Sequence, residues 1–499
     1  MTSTFRRRRL LDRSLAAGLA LVVAVAGILV YRSSDIRNAD LVVSSPGNAP
    51  SGAYAAASVP SPSSAVPTTL TQKWTAATDP ALGVVSSESG VVVTADTHTI
   101  SAHDAVSGVV RWTYTRSNRT LCAIGSGDTG PADMTSSASI AGIATVYGEN
   151  GFCSQVMTFD PVTGARGKVR TSPGQENGSL VFGSPYGGWL GATRLEVWRY
   201  DLVRTIQYGD QANPPKPGQS RLGCTFTDLA MTSNQFAAVE HCPSEGANAR
   251  VVLNFDDPGA VVDHPDGWDV WQHYPRTCVP DPNKKGCADI DTGAAAARIV
   301  GLTADRVAVL VSGPKPAVVV YDATGKEASR TPVDIPAADI IAADSVSKPA
   351  KVTPAVQTDS TRLSLVGDHL LAVSTTSAQV PPPATAFSSA APTTTSSSNI
   401  TDALNPSSSA PTTVSVSDLT LSWVADGALG LPAAIGTTLL MPTDKGLETF
   451  DSTSGPTVLG AAGGKTITVD RQGYTGRVDA SAIGSMIIED RGDSVVALG

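Results

Sequence analysis

The sequence predicts an all-β fold, a β-propeller of eight four-stranded blades with seven as the alternative count, carried behind one N-terminal transmembrane helix. Three observations predict it. Val and Thr abound in short apolar runs punctuated by 46 Gly and 34 Pro, a bias that suits strands joined by turns. One strand–turn–strand pattern built on Asp and Gly recurs along the chain at blade-length intervals. A single uncharged apolar run stands near the N-terminus, flanked by arginines.

That run, Leu15 to Tyr31, follows the basic block Arg6–Arg9 and Arg13 and is ended by Arg32. As a helix it reaches roughly 26 Å, a little short of the ~30 Å hydrocarbon core, and arginines at both ends can snorkel to close the gap. The excess of Arg before the run places residues 1–14 in the cytoplasm and everything after residue 31 outside. The alternative is a secreted protein, because Ala24-Val25-Ala26 resembles a signal-peptidase site. No Cys follows the run until Cys122, which excludes a lipid-anchored terminus.

Residues 32–69 read as a stalk, since from Ser44 onward they are Ser, Pro and Ala without charge. Such a segment cannot bury enough apolar surface to offset its ordering entropy. The ectodomain then spans residues 70–499, with a second low-complexity stretch, 377–413, read as a disordered insert. The first 37 residues carry seven Arg against two Asp, so the remainder of a chain of net charge −9 is strongly acidic. That excludes nucleic acid as a partner, because phosphate binding needs clustered Lys and Arg.

The repeat is an apolar strand ending in Asp, a turn of small residues and a closing Gly. Its copies are HDAVSG at Asp104, FDPVTG at Asp160, YDATG at Asp322 and FDSTSG at Asp451, with looser ones at Asp201 and Asp256. An Asp side chain accepts from backbone N–H groups two or three residues on, and Gly takes the positive φ at no steric cost. Asp104-Ala105-Val106-Ser107-Gly108-Val109-Val110-Arg111-Trp112 resembles the tryptophan-docking repeat of PQQ-like β-propellers. In that family the Trp packs between neighbouring blades; only the first copy keeps it at the family position.

The chain ends on two strands, SMIIED and SVVALG, joined by Arg491-Gly492-Asp493, and stops before a docking strand. A stray Trp strand stands at the other end, Leu70–Ala76. It is expected to close the ring as the outer strand of the last blade, which removes an exposed sheet edge. The other outer strands are placed near Arg111, Arg166, Arg204, Val270, Ala328, Trp423 and Val458.

Six Cys in a non-cytoplasmic domain imply three disulfides. Neighbours along the chain give Cys122–Cys153, Cys224–Cys242 and Cys278–Cys287 among the fifteen possible pairings. Zinc is disfavoured because no C-x-x-C occurs.

Catalytic signatures are few. Gly-x-Ser-x-Gly, Gly-x-x-x-x-Gly-Lys and His-Glu-x-x-His are absent. The family resemblance raises a quinoprotein enzyme, but no two Cys are adjacent as the family's ring disulfide requires. No catalytic residue, metal ligand or cofactor is therefore predicted. The stretch DHPDGWDVWQHY is richer than a loop needs, and His264, Trp268, Trp271, His273 and Tyr274 form a candidate binding patch. The functional expectation is an anchored, non-catalytic binding or scaffold protein of the cell envelope, actinobacterial in type. Its partners are the membrane through residues 15–31 and a protein or envelope polymer. An enzyme working in the propeller channel and a sensor ectodomain are the alternatives.

Overall fold

In the computed structural model the chain builds eight antiparallel sheets arranged as the blades of a ring. The described residues exclude 1, 45–65, 128–141, 211–220, 255–286, 345–356, 381–413, 457–464 and a few stretches of one to three residues. Every blade runs from an innermost strand outward. Blade one comprises Val85–Ser87, Val91–Ala95, Thr99–Asp104 and Val110–Arg116. Blade two follows from Thr120 to Gln175, blade three from Gly178 to Gly209, and blade four from Thr225 to Asp291. Blade five runs from Ala297 to Pro332, blade six from Gln357 to Ala425, and blade seven from Ala433 to Ile467.

Blade eight is shared between the two ends of the chain. Asp479–Ile483, Met486–Asp490 and Ser494–Leu498 supply three strands, and Gln72–Ala77 pairs with the last of them as the outer strand. The expected closure at Trp74 and the count of eight both stand. Two outer strands lie elsewhere than the sequence placed them. Blade four closes on Cys287–Asp291 rather than near Val270, and blade seven on Lys465–Ile467 rather than near Val458. In each case a long connection separates the third strand from the fourth, and Val270 and Val458 themselves lie outside the described residues.

Strands near the axis are covered by a blade on each side and are largely apolar. Val91–Ala95 is buried at every position, whereas the outermost strand Glu327–Pro332 is exposed at every position. The core is accordingly a set of inter-blade clusters. Blade one brings Ile100, Trp112 and Tyr114 against Ile143, Tyr147, Met157 and Phe159 of blade two. At the closing seam, Val92 and Ala105 meet Ile488, Val495 and Ala497, with Trp74 packed beside them.

The docking turns explain how adjacent blades register. At Asp104 the carboxylate accepts from the N–H of Val106 at 3.2 Å and of Ser107 at 2.9 Å. Asp160, Asp322 and Asp451 do the same in their own turns. The indole of the preceding blade then donates to the carbonyl one residue past the Asp. Trp74 bonds Ala105 at 2.9 Å, Trp112 bonds Pro161 at 2.9 Å, and Trp423 bonds Ser452 at 3.0 Å. Each ring lies flat on the closing Gly. A Cβ at Gly108 would stand 2.6 Å from Trp74, and one at Gly164 would stand 2.7 Å from Trp112. Between blades two and three a cation takes the indole's place: Arg170 donates to Leu202 O at 3.1 Å, and Leu202 holds the positive φ of 61°.

Strands alternate in direction, so the ring has two distinct ends. One carries the turns between first and second and between third and fourth strands; the other carries the remaining turns and the crossings between blades. Helix α1 (Thr2–Ser33) meets the ring at the second end. There α2 (Asp35–Asn38) ion-pairs through Asp35 with the buried Arg116, at the end of the outer strand of blade one. Residues 39–43, assigned to the stalk from sequence, pair with Trp112–Arg116 as a fifth strand on blade one. Their ladder to Trp112–Arg116 covers the outer edge of blade one.

Two glycines separate packing from backbone strain. Gly108 (φ 73°) lies under Trp74, while Gly151 (φ 82°) faces open space. Replacing Gly151 by Ala is expected to cost about 1–2 kcal/mol, the usual penalty of a left-handed residue. Gly108→Ala must in addition displace the indole, and should cost roughly 3 kcal/mol or more. Denaturant titration of the two variants measures the difference.

Candidate functional site

The strands of the ring enclose a central channel with a cavity of about 260 Å³. Its wall is mostly aliphatic: Leu82 and Val85 of blade one, Ile124 of blade two, Leu180 of blade three, Leu229 of blade four and Ile488 of blade eight. Innermost strands need apolar residues on the faces that pack between blades, and the same run presents its remaining side chains to the axis. Charged side chains line it in two places, Arg362 on one side of the ring and Asp479 and Asp490 on the other.

On one side stand three charged residues from three consecutive blades. Asp228 of blade four is buried; its carboxylate accepts from the N–H of Leu229 at 2.9 Å and of Ile299 at 2.8 Å. Arg298 of blade five pairs with it at 3.3 Å and donates to Ala343 O at 2.9 Å. Arg362, on the second strand of blade six, faces the cavity with its Nε buried and, among the described residues, without a hydrogen-bond partner. Burial lowers the pKa of this guanidinium; Asp228 opposes that and Arg298 adds to it. Two cations thus share one carboxylate whose oxygens already accept backbone donors.

On the other side, blade eight contributes Asp479, Ser481 and Asp490. Asp479 is held by Arg477 at 3.0 Å and accepts from Leu431 N at 3.0 Å. Ser481 and Ser86 share a hydrogen bond of 2.7 Å across the seam between blades eight and one. Asp479 is thus compensated by Arg477.

Other titratable clusters serve the blades. His241 Nε2 bonds Asp344 at 2.9 Å, and Asp344 caps α3 (Ala337–Ala343) while accepting from Ala297 N at 3.0 Å. The bond to Asp344 raises the histidine's pKa against a smaller desolvation. His103, stacked on Trp74, is shifted the other way by burial. Asp339, Asp368 and His369 bring three possible metal-ligand atoms within 4.8 Å of one another, with Asp426 bonded to the far ring nitrogen at 2.7 Å. A comparable group at Cys224, Glu240 and Cys242 is closed to metals because its thiols are joined.

The expected bridges Cys122–Cys153 and Cys224–Cys242 are both formed. Each ties strand ends on the side where α1 meets the ring. Cys278 lies outside the described residues, and with it the third pairing to Cys287. The patch His264, Trp268, Trp271, His273 and Tyr274 also lies outside them, as do the copy at Asp256 and the stretch 381–413. Residues 377–380 belong instead to the third strand of blade six, His369–Val380. Arg491-Gly492-Asp493 is a hairpin turn whose arginine is buried against Glu489 at 2.8 Å. Arg362 was missed from sequence because nothing local distinguishes an arginine on a second strand; only the neighbouring blades make it a channel residue.

No protein-family model matches the chain, and no curated protein is significantly similar to it. Among solved structures, a chain of the "Crystal Structure of Mitotic Checkpoint Complex" matches with a TM-score of 0.35 and 9% identity, over 87% of this chain and 96% of that one. A likeness at that level says nothing about function.

The two histidines have opposite pH signatures. A raised folded-state pKa means that the His241–Asp344 contribution is fully present below the ordinary imidazole value and is lost as pH rises through the raised one. His241→Gln should therefore destabilise more at about pH 5.5 than at about pH 8, measured as the difference in denaturation midpoint from the wild-type chain. An equal loss at both pH values would show the pair to be uncharged.

Proposed function

We propose that this chain is a membrane-anchored, extracytoplasmic β-propeller that binds a protein or envelope polymer without catalysis. The observation that carries the reading is the way α1 joins the ring. Arg13–Ser33 is a fully exposed helix of mean hydropathy 2.4, long and apolar enough to cross a membrane. It passes directly into the Asp35–Arg116 clasp and the fifth strand of blade one, so one end of the ring is turned toward the anchor. The basic block ahead of the helix favours a cytoplasmic N-terminus. Two disulfides favour an oxidising compartment.

The connection between the third and fourth strands of blade four, which carries His264, Trp268, Trp271, His273 and Tyr274, springs from the end of the ring opposite the anchor. So do the connections 128–141 and 381–413. An envelope partner approaching from outside would meet that end first. Docking geometry at Trp74, Trp112 and Trp423 supports kinship with PQQ-like propellers of envelope type. The fold itself is compatible with many activities, so the assignment rests on the anchor and the exposed end.

Alkaline carbonate extraction and thiol labelling test the reading. The full chain should stay with the membrane pellet, and a variant beginning at Ser34 should be released. No cysteine should alkylate without reductant. Release of the full chain by carbonate, or six reactive thiols, would overturn the proposed location.

A further inference from the structure

We infer that the central channel binds a small ligand with an anionic head, a carboxylate or phosphate monoester, on an aliphatic body, and that Arg362 receives the head. Three features of the channel carry this beyond the scaffold reading, and none depends on the membrane anchor.

The first is the unmatched cation. Arg362 and Arg298 face a single carboxylate, Asp228, and Arg298 is the one in ion-pair contact with it. Among the described residues, the buried Nε of Arg362 has no acceptor. A buried donor left unmade costs about 1–3 kcal/mol, more when charged, so a site that retains one gains from an incoming acceptor. Guanidinium stays protonated even where burial lowers its pKa, and its planar fork suits two oxygens of one acid group.

The second is the cavity itself. About 260 Å³ of space beside Arg362 is bounded by Leu82, Val85, Leu180, Leu229 and Ile488. Such walls reward an aliphatic body by about 25 cal/mol for each Å² removed from water. A concave apolar site with a few placed polar groups is the usual form of a small-molecule site.

The third is the sign of the field. The carboxylates in the wall, Asp479 and Asp490, belong to blade eight, across the ring from blades four to six. Asp479 is neutralised by Arg477 and Asp490 accepts from Gly492 N at 3.1 Å. An acid group would therefore settle on the Arg362 side.

Calorimetric titration of the full chain in an uncharged detergent, with hexanoate, hexyl phosphate and hexanol as probes, tests this. Hexanoate or hexyl phosphate should bind at least about tenfold more tightly than hexanol, and the stronger of the two identifies the head group as carboxylate or phosphate. Arg362→Met keeps the bulk and removes the charge; it should abolish the preference while leaving the thermal midpoint within a few degrees. Equal binding of acid and alcohol by the wild-type chain, or a preference that survives in Arg362→Met, would overturn the proposal. The acid–alcohol comparison needs no variant, so it decides even if Arg362→Met does not fold.

Discussion

The ring depends on one strand. Gln72–Ala77 reaches blade eight from the opposite end of the sequence and completes a sheet whose other strands are the last three of the chain. Without it, the third strand of blade eight would expose an edge, and Trp74 would be absent from the turn at Asp104. The cost of bringing such distant segments together grows only with the logarithm of the intervening length. Ladder bonds, the Trp74 to Ala105 bond and the apolar seam beside it offset that cost together.

Docking also shows which part of a repeat is physically required. Three indoles and one guanidinium donate to the same carbonyl, the one following the turn's Asp. What is kept is a flat donor reaching one carbonyl of the next blade. The Gly is needed where an indole covers it; in the blade-three turn the positive φ falls instead on Leu202, one residue past the Asp. Between blades four and five, Ala288 and Ile290 fill the space against Gly325. Divergence of the motif therefore follows the partner on the preceding blade, not the turn alone.

This dependence decides what was legible in the sequence. The Asp–Gly turns and the stray Trp strand are local signals, and they gave the fold class, the closure and the blade count. The outer strands of blades four and seven were misplaced because strand pairing across a long connection is decided by the partner strand. Leu41, Val42 and Val43 looked like the head of a stalk, since only the free edge of blade one makes them a strand. The two described disulfides were readable because each joins strands of a single blade. Arg170 and Arg362 were not readable, because each acquires its role from a blade that is not its own.

Arginines in this ring usually find an acid. Glu196 takes Arg170 and Arg204; Glu240 takes Arg221; Glu489 takes Arg471 and Arg491. All three glutamates are buried, and each has at least one arginine within ion-pair distance. Replacing such pairs by apolar residues is often neutral for stability, but removing one member strands the other. The same reasoning isolates Arg362. It shares Asp228 with Arg298, which is the one in ion-pair contact among the described residues, and it opens onto a cavity instead of a seam. An anionic ligand of the kind proposed would give Arg362 the close acid partner that Asp228, already paired with Arg298, does not.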